Sequence, residues 1–329
     1  MKILITGGGG FLGTRLAARI LEHGSLTGPS GNPEPVERLV LFDAWFGSAP
    51  ETEDPRIVRV TGDIARREEV FAAAGPDLGA VFHLASMVSG ECEERFDDAL
   101  RVNLDGGRNV FEAARAAAGR PRVVFASSIA GYGGEAMEEE NDDRTKLTPR
   151  TTYGMTKVMC ELLVNDHSRK GHFDGRSARL PTVIIRPGKP NAAASSWASG
   201  MFREPLAGVA CALPVHRHQA HPMTGYRTVT ESLVALHEVP EARLGDDRAF
   251  VLPAHRVTPA LAESVLREIA GERGMTLGPI EDAFDPRIQG IVDNWPVAVD
   301  GSRAAALGLP YPPPLRRIVE EYLEDYGGK

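Results

Sequence analysis

The sequence predicts an α/β fold, a doubly wound parallel sheet followed by a smaller C-terminal lobe. Three observations carry this. Short β-branched runs alternate with Ala-, Arg- and Glu-rich stretches of helical spacing over about the first 190 residues. The first run, Ile3–Ile5, opens directly onto a glycine turn. After Pro187 the alternation loosens, and prolines punctuate the chain from Pro190 to Pro253. Candidate strands are Ile3–Thr6, Arg38–Asp43, Ile57–Thr61, Ala80–Leu84, Arg122–Ser127 and Thr182–Arg186. Candidate helices in the same region are Phe11–His23, Arg66–Ala74, Phe96–Ala118 and Tyr153–Lys170. Val229–His237, Pro259–Ala270 and Leu315–Tyr326 follow in the lobe.

Gly7-x-x-Gly10-x-x-Gly13 joins the first strand to the first helix. A helix N-terminus carries unpaired N–H groups and partial positive charge, so it attracts a pyrophosphate. Glycine lets the backbone approach that group and lets the helix pack on the strand. The spacing is one residue wider than the usual dinucleotide fingerprint. Residues 1–187 are therefore expected to bind a dinucleotide. Residues 188–329 are expected to form the substrate-binding lobe, with some chain crossing back.

Asp43 ends the second strand, where an acid accepts from the adenosine ribose hydroxyls and repels a 2′-phosphate, which points to NAD rather than NADP. It lies farther from the glycines than the usual ~20 residues; the Gly-, Pro- and Ser-rich stretch Gly24–Glu37 accounts for the excess. Asp63, followed by Ile64, is placed to accept from the adenine amino group or to cap the next helix. Leu84, Ala85 and Ser86 end the fourth strand, and small residues there let the backbone pass beneath the cofactor. His83 reads as a packed, hydrogen-bonded histidine. Asn103 and Gly106 are poor helix-interior residues, which suggests a close contact or a backbone hydrogen bond near the site.

Ser127-Ser128 precedes Tyr153-Gly-Met-Thr-Lys157. Tyr153 and Lys157 are four apart, so on a helix they share a face. An ammonium there favours phenolate and is expected to lower the tyrosine pKa from about 10. Tyr153 can then remove an alcohol proton while hydride leaves the same carbon, and a serine hydroxyl can orient the substrate oxygen. Pro187 and Gly188 make a rigid turn suited to lying along the nicotinamide, and the following residues, Asn191 and Ser195 among them, supply polar groups near the reacting carbon. Arg227 is a candidate carboxylate clamp or a surface ion pair. His216, His218 and His221 read as a solvated loop rather than a metal site.

A net charge of −8 argues against nucleic acid or an anionic membrane as the main partner. No apolar run approaches the roughly 18 residues of a membrane span. Cys92, Cys160 and Cys211 have no metal spacing, and a reducing cytoplasm is expected.

Together these motifs resemble the extended short-chain dehydrogenase/reductases, the NAD-dependent epimerase/dehydratase family, over nearly the whole chain. The resemblance implies a Rossmann fold that binds NAD. It places Gly7, Gly10, Phe11, Leu12 and Gly13 on the pyrophosphate, and Asp43, Asp63 and Ile64 on adenosine. Ala85, Asn103, Tyr153, Lys157 and Pro187 fall at further cofactor positions. Ser128, counted back from Tyr132-Gly133, matches the catalytic serine, with Ser127 the fallback; Tyr153 matches the base and Lys157 its partner.

A narrower likeness lies in Arg186-Pro-Gly-Lys-Pro-Asn-Ala-Ala-Ala-Ser-Ser196, Arg203-Glu-Pro-Leu206, Glu161–Asp166 and Val88–Glu91. These are similar to a subgroup that oxidises the C2 hydroxyl of a D-erythronate-like acid to a 2-keto acid. The resemblance also implies a homodimer, with Phe96–Ala118 and Tyr153–Lys170 pairing as a four-helix bundle. Three alternatives stand beside it: a nucleotide-sugar epimerase or dehydratase that recycles its NAD, a broad carbonyl reductase, and a non-catalytic nucleotide sensor.

Overall fold

The computed structural model describes residues 1–47, 54–189 and 193–327. Seven strands form the central sheet: β1 (Lys2–Thr6), β2 (Arg38–Asp43), β3 (Ile57–Thr61), β4 (Leu78–His83), β5 (Arg122–Ser128), β6 (Asp174–Leu180) and, from the C-terminal part, Ala249–Val251. Their order is Ala249–Val251, β6, β5, β4, β1, β2, β3, and every neighbouring pair is parallel. Both faces are covered, so the inner strands are continuous apolar runs. Ile3, Ile5, Leu39, Leu41 and Phe82 fill one core, whereas Leu4, Val40, Val81 and Phe125 fill the other. The chain runs outward from β1 to β3 and restarts at β4 on the other side of β1. That reversal opens a crevice at the C-terminal strand ends, where such sheets bind ligands.

The helices that matter here are α1 (Phe11–His23), α2 (Arg67–Ala74), α3 (Gly106–Arg115), α4 (Thr152–Arg169), α5 (Ser196–Leu206), α6 (Tyr226–Glu238), α7 (Pro259–Arg273) and α8 (Leu315–Tyr326). Leu16 and Ile20 of α1 and Val229 and Leu233 of α6 share one core with the sheet. Helix α6 and strand Ala249–Val251 thus return the C-terminal part to the sheet. The lobe has its own core, in which Trp197, Met201 and Phe202 of α5 meet Leu266 and Ile269 of α7 and Ile318 and Val319 of α8. A three-stranded sheet joins the lobe to the rest: β7 (Thr182–Ile184) pairs parallel with β8 (His221–Gly225), which pairs antiparallel with His255–Val257.

Two expected elements differ. The segment Thr182–Arg186 is not the sixth strand of the main sheet; that place belongs to β6, which the apolar pattern misses. Strand β6 reads Asp-Gly-Arg-Ser-Ala-Arg-Leu, yet its first six residues are buried. Its charges are satisfied internally. The Arg176 guanidinium donates to the carbonyls of Leu236, His237 and Val239 at 2.8–3.0 Å, capping the end of α6, and pairs with Asp174. The expected helix Phe96–Ala118 is Phe96–Ala99, a π-turn over Leu100–Asp105, and α3, which stops at Arg115. The wide turn holds Asn103, whose side chain faces inward to hydrogen-bond the backbone of Met87.

Candidate active site

A cleft of about 990 Å³ runs along the C-terminal strand ends. One side is built by the glycine turn. Gly7 has φ +73°, and a Cβ there would lie 2.8 Å from the Ala85 nitrogen; a Cβ on Gly13 would lie 2.1 Å from the Gly7 oxygen. Only glycine permits this close meeting of β1, α1 and the end of β4. Helix α1 has no side-chain cap and no acid in its first turn, so its leading amides keep their positive end for an anion. Gly7, Gly10, Phe11, Leu12 and Gly13 all line the cleft.

Farther along, the Asp43 carboxylate accepts from the Gly9 amide at 3.0 Å and the Trp45 amide at 3.3 Å, and it lines the cleft. Asp63 accepts from the Ala65 amide at 2.9 Å and pairs with Arg101 at 2.6 Å. Although burial works against its charge, these bonds hold its carboxyl below the usual range. It does not cap α2, whose N-cap is Arg66. Ile64, Leu84, Ala85 and Ser86 complete this wall. Asn103 lies behind it: its Oδ1 accepts from the Met87 amide at 2.7 Å, and it is 4 % exposed. It therefore shapes the loop after β4 without facing the cleft. His83 is buried and bonds the Thr6 hydroxyl through Nδ1 at 2.7 Å, a packed histidine as the sequence suggests. Burial pushes its imidazole down to about 3.

Ser128, Tyr153 and Lys157 meet on the other side, three strands from Asp43, which at ~4.8 Å per strand is about 14 Å. Helix α4 starts where the Thr151 hydroxyl accepts from the Gly154 amide at 3.1 Å. A Cβ on Gly154 would lie 2.0 Å from the Ala130 oxygen, so glycine brings this first turn against the loop after β5. The two serines part here. Ser128 lies beside the Tyr153 phenol, whereas Ser127 donates to Glu161 at 2.5 Å. Glu161 also pairs with Arg179 at 2.9 Å, both side chains 4 % exposed.

Burial works against the expected lowering of the Tyr153 pKa. Burial pushes the phenol up to about 12, against the opposing effect of Ser128. Lys157 shares the face but donates to the Ala126 carbonyl at 2.8 Å, and its ammonium lies 5.4 Å from the Tyr153 ring centre. Burial lowers Lys157 to about 8, so it is a weakened cation alongside the ring.

The lobe closes this end with Thr182, Val183, Arg186, Ala193, Ser195, His221 and Trp295. Ser195 is where the sequence puts it; Asn191 lies outside the described residues. Pro187 and Gly188 follow β7 but do not line the cleft. Arg227 is not brought to the site either. It pairs with Glu324 at 3.0 Å and Asp325 at 2.8 Å on α8, and Asp325 also pairs with Arg15 of α1 at 3.1 Å. Arg186 faces the cleft instead, donating to the Lys189 carbonyl at 2.7 Å. Nor is the histidine segment simply a solvated loop: His221 is 1 % exposed on β8, while His216 stacks on His218 and Phe284. Among the described residues no group of three His, Cys, Asp or Glu side chains could hold a metal. The cluster of histidines was a visible signal for His221; Trp295 had none.

A glycine-cradled helix end at a sheet reversal, with a Ser/Tyr/Lys cluster across from it, is the framework of a dinucleotide-dependent family. Residues 3–213 match the NAD-dependent epimerase/dehydratase family, and the chain belongs to it. It is 42 % identical over 328 residues to D-erythronate dehydrogenase of Cupriavidus necator, covering 99 % of each chain. It is 36 % identical over 324 residues to the D-erythronate dehydrogenase of Haemophilus influenzae, covering 98 % of this chain and 99 % of that one. Among solved structures, a nucleoside-diphosphate-sugar epimerase from Agrobacterium tumefaciens is similar with a TM-score of 0.89 and 35 % identity, over 100 % of this chain and 95 % of that one. Among the described residues no helix is long and apolar enough to cross a membrane.

Proposed function

We propose that the protein oxidises the C2 hydroxyl of a small, D-erythronate-like sugar acid to the 2-keto acid with NAD⁺. The observation that carries this is the Ser128/Tyr153/Lys157 cluster on a cleft whose far side suits a dinucleotide, in a chain 42 % identical to a D-erythronate dehydrogenase. The cleft's own geometry supports this: the glycines let β1, α1 and the end of β4 meet closely, the uncapped start of α1 suits a pyrophosphate, and Asp43 at the end of β2 suits a ribose. NAD⁺ supplies the acceptor for the C2 hydride. Ser128 and Tyr153 hold the C2 oxygen, and Tyr153 takes its proton as the carbonyl forms. Lys157, fixed on the Ala126 carbonyl, favours the phenolate form. Arg186 takes the clamp role first assigned to Arg227, since a guanidinium matches a carboxylate bidentately.

Purified protein, NAD⁺ and a panel of four- to six-carbon aldonic and uronic acids test this by absorbance of the reduced nicotinamide. NADH with D-erythronate or a near C2-hydroxy acid is expected. The likeness to the Agrobacterium epimerase favours a second reading, conversion of a nucleotide sugar with internal return of the hydride. That reaction shows no net NADH, so silence across the panel with turnover of a nucleotide sugar supports it instead.

Asp43→Ala is expected to weaken NAD⁺ by about 10- to 100-fold, the worth of a hydrogen bond to a charged group, and to raise the NADP⁺/NAD⁺ ratio of kcat/KM. An unchanged ratio would mean that Asp43 does not face the ribose. A homodimer is part of the same proposal: Phe96, Met159 and Leu162 are exposed apolar side chains on the two segments expected to pair, and the last two share a face of α4.

A further inference from the structure

Two side chains of α5 hold the backbone of Arg186. The Ser199 hydroxyl accepts from the Arg186 amide at 3.0 Å, and Arg203 Nη1 donates to the Arg186 carbonyl at 2.8 Å. Ser199 and Arg203 are buried, at 6 % and 7 % exposure, on a helix whose Trp197, Met201 and Phe202 fill the lobe core. Residues 195, 199 and 203 are four apart, so one ridge leads from Ser195 on the cleft wall to both groups that hold Arg186. Strand pairing stops at Ile184, so the Arg186 amide and carbonyl need other partners. Backbone usually answers backbone. Here both partners are side chains of one helix, so α5 sets where Arg186 stands.

The Arg186 side chain lines the cleft and gives one bond to the Lys189 carbonyl; among the described residues no carboxylate pairs with it. A guanidinium has further donors in a fixed fork, which suit an incoming carboxylate. Arg203 is a different case. Its Nη2 pairs with Glu204 at 2.5 Å, so its charge is already met and it serves as a donor to the backbone. Pro187 adds a second restraint, because the residue before a proline is confined to extended backbone. We propose that Ser199 and Arg203 are positioning residues for the carboxylate clamp: they fix the Arg186 backbone so that its guanidinium meets the substrate carboxylate already in place. This rests on the sugar-acid reading above. A group ordered beforehand spares the cost of ordering it on binding, and a displacement of about 1 Å can cost about 100-fold in rate.

The test compares kcat/KM for D-erythronate with that for D-erythronamide, which keeps every hydroxyl and loses the charge. The wild type is expected to prefer the acid by about 10- to 100-fold, the worth of a hydrogen bond between charged groups. Arg186→Gln should erase most of that ratio. Ser199→Ala and Arg203→Met are each expected to shrink it by about threefold or more, chiefly by raising KM for the acid. Ser199→Thr keeps the hydroxyl and Arg203→Lys keeps a donor, so each should restore part of the ratio. A merely structural role would lower kcat/KM for both compounds alike and leave the ratio unmoved. The assignment is overturned if Arg186→Gln lowers the ratio while Ser199→Ala and Arg203→Met, folded and active, keep the wild-type value. A wild-type ratio in Arg186→Gln removes the clamp, and its positioning residues with it. Should the wild type oxidise neither compound, the sugar-acid reading itself falls.

Discussion

Replacing Tyr153 by phenylalanine is expected to lower kcat by about 10³-fold or more, within the range ascribed to a positioned acid or base. The substitution removes one oxygen and keeps the ring that packs beside Lys157, so NAD⁺ affinity should stay within about threefold, a change below 1 kcal/mol. Stopped-flow absorbance gives the first quantity and quenching of protein fluorescence the second. Turnover near wild type would remove Tyr153 as the base. The pH profile sharpens the test. A base works only after losing its proton, so kcat/KM must rise with pH. Burial holds the phenol at about 12 in the chain by itself and Lys157 at about 8. Removing the cation favours the neutral phenol, so Lys157→Met should move the rise to higher pH. A rise unmoved by that change would mean that Lys157 does not act on the phenol.

Glu161→Ala is expected to cost about 3–5 kcal/mol of stability, the usual loss when one partner of a buried ion pair is removed. The carboxylate lies between the Ser127 hydroxyl at 2.5 Å and Arg179, and Arg179 also reaches the Tyr132 hydroxyl at 3.3 Å. Deleting the acid leaves the buried guanidinium with the more distant Asp143, at 3.9 Å, in place of a carboxylate at 2.9 Å. The double variant Glu161→Leu/Arg179→Met should recover much of the loss, because an apolar pair of similar volume does not need the lost partners. Urea midpoints at constant m-value measure both. A Glu161→Ala midpoint equal to wild type would show that the pair is not stabilising.

These two cases also show what is legible in the chain. Tyr153 and Lys157 could be read from spacing, because helical periodicity places residues four apart on one face wherever the helix sits. Asp43 and the glycine turn were equally plain, since a turn has few residue types that fit it. Strand β6 was not, because apolar runs announce buried strands and its buried side chains are arginines and an aspartate satisfied by distant backbone. Arg227 was a cation of the right kind whose acids, Glu324 and Asp325, are almost a hundred positions later. His221 was read as part of a solvated loop, and only the approach of β7 and Trp295 shows what surrounds it. Side-chain types are local information; their partners are not.

The pairing of α8 with α1 and α6 has a consequence for how the site is assembled. Arg15, one turn beyond the glycine cradle, is held by Asp325 and Tyr326, and the same aspartate takes Arg227 and Tyr226. Helix α1 therefore finds partners for Arg15 as many as 311 positions away in the sequence. Helix α1 packs on the sheet and α6 through its apolar face, and α8 adds a second, ionic hold on the same helix. A variant lacking Leu315–Tyr326 would therefore keep every motif of the cleft while losing these ion pairs on its anion-binding helix.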